Sequence, residues 1–163
     1  MFNNINFLSV LRQKPNAIAM MQGSSDYPDI NGTVRFYQTK AGVVVVAKIS
    51  GLPTNPDVCK QPIFAFHIHS GNSCSGNETD YFADAMAHYN PNGCLHPYHA
   101  GDMPPLFGCN GFAFSAFITD RFYVKDIVGR TVIIHSSPDD FTTQPSGNSG
   151  KKIACGVVRV TRQ

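Results

Sequence analysis

Apolar and polar residues alternate in short runs along most of this chain. Residues 33–38 (Thr-Val-Arg-Phe-Tyr-Gln) change character with a period near two, as expected of a strand with one face buried and one wet. Residues 43–49 are β-branched and end at Ser50-Gly51-Leu52-Pro53, a turn signal. Residues 63–69, 112–118, 131–135 and 156–161 read the same way, as do 17–21 and, more weakly, 122–124. About eight short strands separated by Gly and Pro predict an all-β antiparallel barrel or sandwich. Two stretches, 70–110 and 136–153, do not read as strands. Loops that long in a compact domain are usually functional. A window without Gly or Pro predicts a short helix near 78–87. Residues 1–14 read as an N-terminal arm of one or two amphipathic turns, ahead of a single domain over 15–163.

Composition narrows the class. Of 163 residues, 42% are hydrophobic and only 15% are charged, which excludes a disordered tail or a charged helical bundle. Lys and Arg number 13 against 11 acidic residues, without a run of like charge, so nucleic acid is not an expected partner. No apolar run approaches the roughly 20 residues of a membrane helix. The start of the chain carries no positive charge and Arg12 and Lys14 follow its apolar part, the reverse of a secretory signal. That order predicts a cytoplasmic protein, with an extracytoplasmic, cell-surface or spore-surface location as the alternative.

The six histidines carry the chemistry. His67 and His69 stand two apart on a predicted strand and therefore share a face. His135 ends another strand. His88 follows, and then His96, His99 and Asp102 at intervals of three, with Pro97 and Gly101 permitting tight turns. Three imidazoles and a carboxylate suit zinc. An all-imidazole set with an open face suits copper. One histidine alone is more often a solvated or core residue. All six in ligand-like spacing are not.

In these segments the chain resembles the copper/zinc superoxide dismutases over about residues 17–161. Phe66-His67-Ile68-His69, the run 87–93 around His88, the His96–Asp102 loop, the run 128–135 ending in His135, and the closing run 146–157 all match, in order. Cys74, five residues after His69, is placed as in the bacterial branch. The resemblance implies an eight-stranded Greek-key barrel with copper bound by His67, His69, His88 and His135. Zinc would be bound by His88, His96, His99 and Asp102, with His88 as the imidazolate between the metals. Asp139 would accept N–H bonds from His67 and His96. The implied activity is the conversion of superoxide to dioxygen and hydrogen peroxide by copper cycling, with His88, His135 and Lys152 at the reacting centre. Lys152 stands where the family usually has an arginine, which keeps the attractive charge but loses the planar donor fork. Lys151 reads as a solvated neighbour. The extension over 75–87 is open to a role in dimer contact or loop cover, and a homodimer is left open with it.

The resemblance also pairs Cys74 with Cys155. That bridge closes a loop of about 80 residues and is worth up to roughly 4.5 kcal/mol in the chain-entropy account. Cys94 and Cys109 flank the zinc loop as a candidate second bridge, leaving Cys59 over. The competing functional reading is a copper/zinc-binding relative without turnover: a carrier, a buffer or a structural protein.

Overall fold

The computed structural model describes residues 6–161; the ends of the predicted arm and domain, 1–5 and 162–163, lie outside the described residues. Eight strands form one ladder: β1 (Ala17–Gly23), β2 (Asn31–Thr39), β3 (Gly42–Ser50), β4 (Ile63–His69), β5 (Asp102–Phe107), β6 (Phe112–Thr119), β7 (Thr131–His135) and β8 (Lys152–Val160). Their order is β5-β4-β7-β8-β1-β2-β3-β6, and every pairing is antiparallel. The end strands β5 and β6 lie against each other and nearly close the barrel. β1, β2 and β3 form a meander. The chain then crosses from β3 to β4 and again from β6 to β7, the Greek-key connections that the family resemblance implies.

Burial follows from which faces are covered. β6 alternates exposed and covered residues because its outer face is open. β4 and β7 are covered on both faces. Their inward residues, among them Phe66, Ile68, Val132 and Ile134, join Phe36 and Phe64 in the barrel core. On the outer face Ile133 and Cys155 pack beneath Phe82 and Ala85 of the 70–101 loop, forming a second small core. The loop thus supplies the layer that turns two strand faces into interior. A Cys74–Cys155 disulfide, with Cα atoms 5.7 Å apart, fastens it to β8.

The predicted arm contains α1 (Phe7–Leu11), capped by the Asn6 side chain, which accepts from the Ser9 N–H. Its Val10 packs on Tyr37, Val44 and Val46, outside β2 and β3.

Three expectations are corrected. Residues 122–124 are not a strand. Phe122 turns inward, edge-on to Phe36 at 6.4 Å between ring centroids, and α2 (Val124–Ile127) begins directly after. The eighth strand is instead β5, within the stretch read as loop. Its Pro104 and Pro105 disguise it, and they are tolerated because β5 ends the hydrogen-bonded ladder. The helix near 78–87 shrinks to one 3-10 turn at Ala83–Ala85. Asn77 Oδ1 accepts from the N–H groups of Thr79 and Asp80, and Asp80 Oδ1 accepts from Phe82 N–H, so side chains take the donors that a helix would use.

The second bridge, Cys94–Cys109, is corrected as well: both cysteines are free and exposed, as is Cys59. Cys94 is held in a turn by Asn90, two residues from His96 and near the start of β5. Cys109 lies past the other end of β5. At about 3.3 Å per residue, the strand carries it roughly 17 Å away.

Candidate metal centre

Strand pairing brings the first donors together. His67 faces Ile133 across the β4–β7 pair, so Ile133, His135, His67 and His69 all stand on the outer face. His88 arrives from the loop, laid against β4 as an added bridge to His69. Tyr89 N–H donates to the Ile68 carbonyl at 2.8 Å, and Ile68 N–H to the Gly101 carbonyl at 2.8 Å. This close approach requires glycine: a Cβ at Gly101 would sit 2.2 Å from the Ile68 oxygen.

Two four-residue groups result, His67/His69/His88/His135 and His88/His96/His99/Asp102, each with its donor atoms within 4.8 Å of one another. All seven residues are buried. His88 belongs to both groups. The structure thus brings all seven of the residues singled out in the sequence together in these two groups.

Hydrogen bonds assign the ring nitrogens. His67 Nε2–H donates to Asp139 Oδ2 at 2.7 Å, and His96 Nε2–H to Asp139 Oδ1 at 2.8 Å. His69 Nδ1–H donates to the Met86 carbonyl at 2.7 Å. His135 Nδ1–H reaches toward the Gly150 carbonyl at 3.4 Å. The opposite nitrogens therefore carry lone pairs, aimed inward. His69 Nε2 and His135 Nε2 face each other at 3.2 Å without a proton to share. His67 Nδ1, His88 Nε2 and His96 Nδ1 are buried with no hydrogen-bond partner among the described residues. His96 Nδ1 lies 3.1 Å from Asp102 Oδ2 yet does not point along it. His88 Nδ1 is 2.7 Å from Asp102 Oδ1 and 3.4 Å from His99 Nδ1.

Buried polar atoms in native proteins are almost always satisfied. Converging lone pairs repel unless a cation lies between them. Four donors around a tetrahedral ion at about 2.0–2.1 Å stand about 3.3 Å apart, close to the spacings seen. The residues therefore fit two cations that share the His88 ring.

Electrostatics agree. Burial, reinforced by the neighbouring imidazoles, holds His69 well below the usual histidine range and pushes His135 down to about 3. Burial also lowers His67, outweighing its bond to Asp139. These three rings are neutral near neutrality, the form that ligates. Burial alone would raise Asp139, but bonds from His67, Phe141 N–H and His96 outweigh it and hold the carboxyl down to about 2. Asp139 is thus an ionised acceptor that orients one ring of each group.

Gly147, Gln144 and Arg121 support the site without a readable signal of their own in the sequence. A Cβ at Gly147 would lie 2.0 Å from Asp139 Oδ1, and its φ of +68° favours glycine besides. Gln144 clamps the His96 backbone, accepting from its N–H at 3.0 Å and donating to its carbonyl at 2.7 Å. Arg121 Nη1 donates to the carbonyls of Pro97, His99 and Asp102 at 3.0–3.3 Å. Lys152 is paired with His135 across β7 and β8, and its ammonium donates to Asp80 Oδ2 at 2.6 Å. Lys151 is exposed, as expected. A cavity of about 560 Å³ opens onto His69, His88 and His135.

Comparison with known proteins gives the same answer. A family model described as copper/zinc superoxide dismutase matches residues 30–158. Superoxide dismutase [Cu-Zn] 2 of Aquifex aeolicus is 34% identical over 146 residues, covering 80% of each chain. Superoxide dismutase [Cu-Zn] of Photobacterium leiognathi is 31% identical over 78% of each chain. That of Paramecium bursaria Chlorella virus 1 is 29% identical across 100% of this chain and 87% of its own. The fold superposes on Cu/Zn superoxide dismutase from Brucella abortus with a TM-score of 0.72, covering 86% of this chain and 98% of that one at 24% identity. The match over most of the barrel, with the seven donors brought together as two groups, places this chain in the copper/zinc superoxide dismutase family.

Proposed function

We propose that this chain is a superoxide dismutase whose copper is held by His67, His69, His88 and His135 and whose zinc is held by His88, His96, His99 and Asp102. The shared ring carries the assignment. His88 turns Nδ1 toward Asp102 and His99 and leaves a buried, unpartnered Nε2 for the all-imidazole group. Four imidazoles suit a redox-active copper ion, and three with a carboxylate suit zinc.

The balance is two superoxide anions and two protons giving one dioxygen and one hydrogen peroxide. When bound, copper supplies the Cu(II)/Cu(I) couple that passes one electron between the two anions, and zinc supplies a fixed charge beside the shared ring. The chain does the rest. Asp139 fixes the rings of His67 and His96, and the Met86 carbonyl fixes that of His69. His88 Nε2 is the atom at which a proton is held between half-reactions, because Nδ1 stays committed to the Asp102 side. The cavity at His69, His88 and His135 admits the small anion, and the ammonium of Lys152 stands on its wall.

Metal content measured together with superoxide consumption tests this. About one copper and one zinc per chain with rapid consumption is expected. Copper without turnover makes the protein a carrier or buffer. Zinc alone in both groups makes it structural.

A further inference from the structure

The 75–87 segment places a carboxylate directly on the cation of the cavity. Lys152 Nζ donates to Asp80 Oδ2 at 2.6 Å and to the Phe82 carbonyl at 3.0 Å, using two of its three N–H donors. Its side chain is 15% exposed, so the pair is screened less than a surface pair. Asp80 is itself held for this contact. Its N–H donates to Asn77 Oδ1, its carbonyl accepts from Asn77 N–H, and its Oδ1 accepts from Phe82 N–H, leaving Oδ2 for the lysine. The Cys74–Cys155 bridge joins the same segment to β8 three residues beyond Lys152, so their approach does not depend on the ion pair alone. The cavity wall carries Asp26, Glu78 and Asp80 against Lys151 and Lys152, three carboxylates to two ammonium groups.

We propose that Asp80 is a positioning residue that holds the Lys152 ammonium on the cavity wall and offsets its charge, setting how strongly the mouth attracts small anions. The proposal rests on the dismutase reading for its substrate, and it gives the 75–87 extension a function: a built-in counter-ion for the residue at the family's cationic position. Neutralising Asp80 frees the Lys152 ammonium from the ion pair with its charge intact and removes one negative charge beside the anion's path.

Two measurements test it. In metal-free protein, reductive methylation followed by mass spectrometry should label Lys152 several-fold more slowly than exposed Lys151, and Asp80→Asn should bring the two rates together. In copper-loaded protein, azide titrated against the copper absorption band should bind on the order of threefold to tenfold more tightly to Asp80→Asn, as expected for removing one partly screened charge from the same cavity wall. Asp80→Glu should restore the wild-type azide affinity. Unchanged azide affinity in Asp80→Asn overturns the proposal. So does Lys152 methylating as fast as Lys151 in the wild type, a comparison that holds even where Asp80→Asn fails to fold. The labelling result does not depend on turnover, so a protein without dismutase activity sinks the functional reading and leaves the ion pair separately decided.

Discussion

The two donor groups share a ring but are built from different materials. In the first, His67, His69 and His135 stand on β4 and β7, and the pleat of two paired strands aims them. In the second, His96 and His99 stand on a loop, and only Asp102 begins a strand. Strand-borne donors are placed by a ladder that the barrel core enforces. Loop-borne donors depend on auxiliary contacts: Arg121 on three carbonyls, Gln144 on the His96 backbone, Asp139 on the ring. The all-imidazole group should therefore be nearly preformed without metal, and the other should gain order from its ion.

His135→Ala separates the groups most sharply. It removes a ligand from the strand-borne group and leaves an intact core, so copper binding and superoxide consumption should be lost. Zinc content and the β-rich circular dichroism should stay. Loss of both metals would show the groups to be one unit. Asp139→Asn is next. Its amide cannot accept from both rings, so both affinities should fall, by about 10–100-fold in chelator competition. A loss confined to zinc would mean that His67 needs no help from Asp139.

Acid tests the strand-borne group alone. His135, His69 and His67 bind protons more weakly folded than unfolded. The unfolded chain therefore takes up more protons between about pH 6.5 and the lowered values, and stability rises with pH across that window. Metal-free protein should lose several degrees of Tm as pH falls from 7 to 4. A flat profile would contradict the burial of these rings. Asp139 adds the same sign lower down, its contribution present above the ordinary carboxylate range and lost toward pH 2. Arg121→Ala should have the smallest effect, releasing zinc to a chelator on the order of tenfold faster through lost charge-assisted bonds, with copper release unchanged. Equal effects on both metals would erase the distinction.

What could be read in sequence follows the same division. His67 and His69 were legible because strand alternation fixes their common face, and His135 because it ends an apolar run. The loop donors were legible through their spacing and the family resemblance, not through any period. Contacts made by backbone carbonyls, such as those of Met86 and Pro97, leave no trace in residue type. The Asp80–Lys152 pair joins residues 72 apart in sequence and has no local signature. Cys94 and Cys109 looked paired because they flank one loop, but an extended β5 separates them. The two prolines of β5 read as a break because nothing local shows that the strand ends a ladder.

His88 and Asp139 each touch both groups, which makes the two ions each other's effectors. Whatever factor a bound zinc multiplies into the copper association constant, a bound copper must multiply into that of zinc, since the cycle of four states closes. Filling order is then a matter of kinetics and supply, and a factor above one makes half-loaded protein scarcer at equilibrium than independent sites would allow.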